Sequence, residues 1–295
     1  MQRKGFLKML SALPFAPLAM NLNELKNWAD TQPASELSPV LFIGHGSPMN
    51  ALADNEFTRS LKKTGANILR DCRPNAILMV SAHWLTGGTF LQASPNPKMV
   101  YDFDGFPPEL SQVQYPAPGH PAMATETAEI LKTAMTTETW GLDHGAWSVL
   151  KHLFPLADIP VFQMSIDWGR SMEYHFELAQ KLQSLREKGI LIIGSGNIVH
   201  NLQLSMPKLW SDDQTPYDWA IEFDEWAKKQ IESGDFKSLI RYETAGTSAQ
   251  MAVPTADHYI PLLYSLGAAK PSEAVKQFYE RVEYGGISMR CLQLG

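Results

Sequence analysis

The sequence predicts an α/β protein, a mainly parallel or mixed central sheet with helices on both faces. Three observations predict it. Short apolar runs bounded by Gly or Pro alternate with longer, helix-compatible segments. The runs are continuously apolar rather than alternating, as strands buried on both faces require. No repeat or low-complexity linker interrupts the series, so one domain is expected over residues 39–295.

Residues 1–38 read as an N-terminal extension or signal-like segment ending in the polar stretch DTQPASELSP. QRKGFLK resembles a twin-arginine export signal with Lys4 in place of the second arginine, and an apolar stretch from Met9 to Met20 follows it. That stretch is too short to span a bilayer. Two prolines interrupt it and no small-x-small cleavage site precedes Asn21. The cytoplasm is therefore the expected compartment, with export as the alternative. No other segment is a membrane-span candidate.

The folded body opens with a strand, PVLFIG (39–44), and further strands are expected at AILMVSA (76–82), TFLQAS (89–94), IPVFQMSI (159–166) and ILIIGSG (190–196). Helices are expected over 54–70, 121–135, 144–154, 171–188, 216–232, 235–242 and 272–283, with a last strand through ISMRCLQL. The segment 94–119 is dense in Pro and aromatic residues and has no period. A loop this long inside a compact domain tends to be functional or mobile.

The chain has 295 residues, of which 44% are hydrophobic, enough for a sizeable core. A net charge of −6 with no basic run argues against a nucleic-acid partner. Only two cysteines occur, Cys72 and Cys291, so neither a disulfide framework nor a cysteine metal cluster is indicated.

Histidine is the informative residue. His45 follows PVLFIG, His83 follows AILMVSA, His200 follows ILIIGSG at a short distance, and His258 precedes an apolar helix-like stretch. In open α/β sheets ligands bind outside the carboxyl ends of the strands. A histidine there is aimed from a rigid scaffold into a cleft, and several from one sheet edge can meet at a single ion. Any one alone is more often structural. Their joint placement points to a metal, because neutral imidazole is a common ligand for zinc and iron. His144, in LDHGAW, opens a helix beside Asp143 and is placed to hydrogen-bond a substrate oxygen or move a proton. His120, His152 and His175 read as ordinary. Gly194-x-Gly196 lacks the third glycine of a dinucleotide fingerprint, and Ser47 and Ser195 lack the G-x-S-x-G elbow.

The blocks GHGSPMNAL, SAHW, YDFDGFPPELSQVQYPAPG, LDHGAWSVL, GSGNIVHNL, DHYIPLLYSLGA and SMRCLQLG occur in this order from about Pro39 to Gly295. In them the chain resembles the class III extradiol ring-cleaving dioxygenases, and more closely their 4,5-DOPA dioxygenase extradiol group. The resemblance implies a fold related to the catalytic subunit of protocatechuate 4,5-dioxygenase. It implies one divalent metal per chain, Fe(II) for oxidative activity or Zn(II) as found bound. His45, His83 and His258 match metal ligands. His200 matches a histidine that completes the metal shell and also serves as acid–base group, and His144 matches a second catalytic histidine of the pocket. The wider superfamily uses two histidines and a glutamate. The closer group shares His258 in place of that carboxylate, and an all-nitrogen shell suits zinc as well as iron. The implied reaction is extradiol cleavage of a catechol by dioxygen, a DOPA-like substrate giving 4,5-seco-DOPA. The alternative is a zinc-dependent hydrolase or amidase on the same scaffold. Small-molecule catechol and dioxygen are the expected partners, with no nucleic acid and no membrane, in a monomer or small homo-oligomer.

Overall fold

The five apolar runs meet because none of them can expose either face to water. A computed structural model describes residues 37–295; the extension and its signal-like motif lie outside the described residues apart from Leu37 and Ser38. One eight-stranded sheet contains β1 (Val40–Gly44), β2 (Ala76–Thr86), β3 (Thr89–Gln92), β4 (Ala134–Thr137), β5 (Val161–Asp167), β6 (Ile190–Gly196), β7 (Val275–Tyr279) and β10 (Cys291–Leu294), in the order β4-β3-β5-β2-β6-β1-β10-β7. β8 (Val282–Glu283) and β9 (Ile287–Ser288) form a separate two-stranded ribbon. The central four, β5-β2-β6-β1, are parallel. β3 runs antiparallel to β5 on one side, and β10 and β7 continue antiparallel on the other. The sheet is therefore mixed around a parallel centre.

The helices are α1 (Glu56–Asp71), α2 (Pro121–Leu131), α3 (His144–Leu153), α4 (Met172–Gln180), α5 (Gln183–Arg186), α6 (Leu202–Trp210), α7 (Asp218–Ser233), α8 (Phe236–Ile240), α9 (Thr247–Ala252) and α10 (Ile260–Ala268). They cover both faces, as the period of two along each strand dictates. Leu41, Ile43, Ile77, Met79, Leu191 and Ile193 face a core completed by α1 and α3. Val40, Phe42, Leu78, Val80, Ile190 and Ile192 face a second core, completed mainly by α4, α7 and α10. Each such buried side chain contributes about 1.5–3 kcal/mol, so the central strands are a rigid base for whatever projects from their ends.

The segment 272–283, expected as a helix, is β7 followed by β8. There β10 pairs alongside, with Val275 opposite Leu294, and a distant strand supplies the ladder that local pattern could not reveal. The helix expected over 121–135 stops at Leu131, because Lys132 turns left-handed at φ 62° and the chain then enters β4 beside β3. The expected helix 171–188 breaks into α4 and α5, and the expected last strand divides into β9 and β10. α6 and α9 were not foreseen. β2 runs on to Thr86, so His83 lies within a strand and not just beyond one. Its pairing with β6 ends at Ser81, however, and its pairing with β5 is irregular between Val80 and Leu85. Among the described residues no helix is long and apolar enough to cross a membrane.

Register brings the carboxyl ends of the parallel strands level. Ile43 lies opposite Ser195, Gly44 opposite Gly196, and Ser81 opposite Ser195. The residues that follow these positions share one sheet edge.

Candidate active site

Five histidines from five places in the chain meet at that edge. His45 leaves β1 with its backbone N–H donating to Gly196 C=O (3.1 Å). Gly46 then turns the chain at φ 60°, a conformation natural to glycine. His83 projects from β2 two residues beyond Ser81. The Ser81 hydroxyl donates to buried Asp143 (2.6 Å) and accepts from the His83 N–H (3.3 Å). His144 is the first residue of α3, and Asp143 caps that helix by accepting from the Ala146 N–H (3.2 Å). His200 follows β6 and is fixed by its N–H donating to Ala252 C=O (2.9 Å). His258 precedes α10, and its C=O accepts from the Asn197 N–H (2.8 Å). A Cβ on Gly196 would lie 2.2 Å from the His258 carbonyl oxygen, so only glycine lets this loop close on the end of β6.

The rings converge. His45, His83 and His258 have centroids 5.1, 5.3 and 5.0 Å apart in their three pairings. Imidazoles sharing a cation at about 2.0–2.1 Å have centroids roughly 5 Å apart. His144 lies 3.9 Å from His83 and 5.7 Å from His45, centroid to centroid, and His200 stacks on His258 at 3.5 Å, tilted by 10°. Potential ligand atoms of His45, His83 and His144 lie within 4.8 Å of one another, as do those of His200, Asp257 and His258. The expected set His45, His83, His200 and His258 thus spans two adjoining groups, with His144 on the His83 side.

Hydrogen bonding distinguishes the ring nitrogens. The Ser195 hydroxyl donates to Gly145 C=O (2.6 Å), so its oxygen accepts from His45 Nδ1–H (3.0 Å). The Asp257 carboxylate holds His258 Nδ1. The Asp102 carboxylate lies 3.2 Å from His83 Nδ1, which favours the proton there. His45 and His258 thus have Nδ1 hydrogen-bonded, and His83 Nδ1 faces a carboxylate, an arrangement that leaves Nε2 of each ring for the centre of the group. The Nε2 atoms of His45 and His83 face each other at 3.1 Å.

Electrostatics keeps these rings neutral. Burial, then the neighbouring histidines, drives His45 and His258 well below the usual imidazole range. Burial lowers His83 to about 3 and His200 to about 4. Burial alone would raise Asp102, but interaction with His144 and His83 outweighs it and the carboxyl falls below its ordinary value. An ionised carboxylate therefore sits beside the neutral His83 ring. Three neutral imidazoles converging with centroids about 5 Å apart are a donor set that fits a divalent metal accepting nitrogen ligands.

An aromatic wall borders the group. Phe103 stands edge-on to His144 (5.8 Å), Trp147 (6.1 Å) and Phe106 (5.5 Å). It belongs to the long loop 94–119, which holds a single 3-10 turn at Leu110–Gln112. The loop is anchored where Val100 N–H donates to Leu142 C=O (2.7 Å) and Trp147 Nε1–H donates to Val100 C=O (3.0 Å).

His120 caps α2, His152 Nε2 lies 2.8 Å from Asn50 C=O, and His175 Nδ1 lies 3.1 Å from the Tyr264 hydroxyl, all away from the centre. Sequence reasoning missed Ser195, Asp102 and Asp257 as partners of the imidazoles. Asp257 is adjacent to His258 and was open to suspicion. Ser195 and Asp102 are 150 and 19 positions from the histidines they hold, with no pattern linking them.

Residues 38–291 match the family model described as the catalytic LigB subunit of aromatic ring-opening dioxygenase. A 4,5-DOPA dioxygenase extradiol of Escherichia coli K12 is 43% identical over 271 residues, covering 89% of this chain and 96% of that protein. One from Beta vulgaris is 35% identical, covering 85% of this chain and 94% of that protein. The crystal structure of an uncharacterized Escherichia coli K12 protein superposes with a TM-score of 0.75 at 40% identity, over 88% of this chain and all of that one.

Proposed function

The chain belongs to the family of the catalytic LigB subunit of aromatic ring-opening dioxygenases, and from that premise we propose that it cleaves a DOPA-like catechol with dioxygen at one divalent metal. His45, His83 and His258 hold the metal through Nε2, and His200 completes the shell or exchanges a proton with substrate. The extradiol dioxygenase activity itself follows from the family and its relatives. The metal, the substrate and the product, 4,5-seco-DOPA from DOPA, are our reading.

One observation carries it: the His45 and His83 Nε2 atoms stand 3.1 Å apart, with His45 Nδ1 hydrogen-bonded to Ser195 and the Asp102 carboxylate 3.2 Å from His83 Nδ1. Bound iron(II) would supply Lewis acidity toward the catechol oxygens and an electron route between ring and dioxygen. The remaining work falls to side chains. His200 is neutral at pH 7, and among the described residues no hydrogen bond engages its ring nitrogens, so it is free to take the catechol proton. His144, on the His83 side of the group, is placed to hydrogen-bond an oxygen of the reacting pair, and the proton taken up by His200 can return to the product as the ring opens. Phe103, backed by the buried Trp147, offers an aromatic surface to a flat substrate and helps exclude water from the reaction.

The test is anaerobic loading with iron(II), followed by L-DOPA or simpler catechols and then air. The expected result is one oxygen consumed per ring opened, with a yellow product. Iron-loaded protein that consumes no oxygen with any catechol of the panel, or that hydrolyses amides or esters without air, would overturn the proposal.

A further inference from the structure

Asp102 makes contacts that ring cleavage as outlined above does not use. Its Oδ2 lies 3.2 Å from His83 Nδ1. Its Oδ1 accepts a hydrogen bond from the His144 backbone N–H (3.0 Å) and lies 3.0 Å from His144 Nδ1, off the hydrogen-bonding direction. One carboxylate therefore touches two imidazoles carried by unrelated elements, strand β2 and helix α3. Ser195 and Asp257 each hold one histidine of the group.

Asp102 also belongs to the aromatic loop. Leu142 N–H donates to Lys98 C=O (2.8 Å) and Val100 N–H to Leu142 C=O (2.7 Å), which lays the loop along the approach to α3 just before Asp102. Phe103, the next residue, is the one standing edge-on to His144 and Trp147. The side chain of Asp102 is 20% exposed, so its charge is only partly screened by water.

Resting on the metal site proposed above, we propose that Asp102 is a positioning residue that ties metal loading to the placement of the aromatic wall. A cation on His83 Nε2 makes the opposite N–H of that ring a stronger donor. Asp102 is the acceptor within reach of it. Strengthening this contact draws the carboxylate, and with it the loop segment 98–103, against β2 and α3. Phe103 is then held edge-on to His144, 5.8 Å between ring centroids. Backbone hydrogen bonds at Lys98, Val100 and His144 already hold the loop, and the added pull on Asp102 tightens it when the metal is bound.

The experiment titrates zinc into metal-free wild-type protein and Asp102→Asn, using a chelator competition, and records the visible spectrum of each with cobalt(II). Asn offers one acceptor oxygen in place of two and no charge. The expected result is a 10–100-fold loss of zinc affinity in D102N and an altered cobalt spectrum, with Asp102→Glu recovering part of the affinity. In wild type alone, hydrogen exchange at the His144 amide and across 98–103 is expected to slow on zinc binding. Wild-type affinity and spectrum in D102N, or exchange in wild type that zinc leaves unchanged, would overturn the inference. Wild type that binds no stoichiometric zinc would overturn the metal site itself, a failure distinct from that of Asp102.

Discussion

His45 and His83 are 38 positions apart in sequence and come from different strands, yet their Nε2 atoms lie 3.1 Å from each other in a buried pocket. Ser195 occupies Nδ1 of the first ring and Asp102 lies beside Nδ1 of the second. Burial holds both rings neutral, which keeps their nitrogen lone pairs available to a cation.

Replacing His83 with Ala removes one of the facing nitrogens. Metal content measured on purified, metal-loaded protein should fall from about one per chain toward none, and oxygen uptake with it, while the circular dichroism spectrum stays unchanged. Stoichiometric metal in the variant would mean that His83 is not a ligand.

His144 and His258 make opposite forecasts. Both lie beside His83, but only His258 has its Nδ1 held in a hydrogen bond that leaves Nε2 free. His258→Ala should lose the metal. His144→Ala should keep it and slow ring cleavage by about 10²–10⁴-fold, the usual worth of an acid–base group. Single-turnover oxygen uptake on metal-quantified protein separates the two, and loss of metal from H144A would exchange their roles.

Gly196→Ala tests how the His258 loop is seated. The added Cβ would fall 2.2 Å from the His258 carbonyl oxygen, a backbone atom that has no easy retreat. We expect weakened metal binding and a loss of stability of about 1–3 kcal/mol, the usual cost of overpacking, read from a urea midpoint with and without zinc. A variant matching wild type in both would show that the loop has slack.

Buried His175 gives a pH signature away from the site. Burial lowers its imidazole to about 4, against about 6.5 in the unfolded chain. The folded state holds it neutral while the unfolded state takes up a proton below that value. Its contribution is therefore complete above pH 6.5 and is lost as pH falls toward 4. Urea midpoints at pH 7 and pH 5 should differ less in His175→Asn than in wild type. Equal differences would assign the acid sensitivity to other groups.

The sequence by itself determined the strands of the parallel centre, because PVLFIG, AILMVSA and ILIIGSG are apolar on both faces and have no stable place except inside a sheet covered on both sides. It also determined which histidines to suspect, because several rings at or near the ends of such runs can share one sheet edge, where a single one would more often be structural. Chemical identity went further than geometry, in that the ordered blocks pointed to extradiol dioxygenases, the family the chain belongs to.

Tertiary structure alone decided the pairing of β7 with β10, the entry of Asp102 from an aperiodic loop, and the use of Ser195 as an acceptor for His45. Each depends on the meeting of segments far apart in the chain, whose local patterns carry no trace of the partner. Val275–Tyr279 is a strand only because Cys291–Leu294 lies beside it. Asp102 matters because β2 and α3 bring two imidazoles within 3.2 Å of its oxygens. Periodicity reports what a segment must bury, whereas a polar contact depends on where distant backbones have been carried, and that is settled only when the whole chain packs.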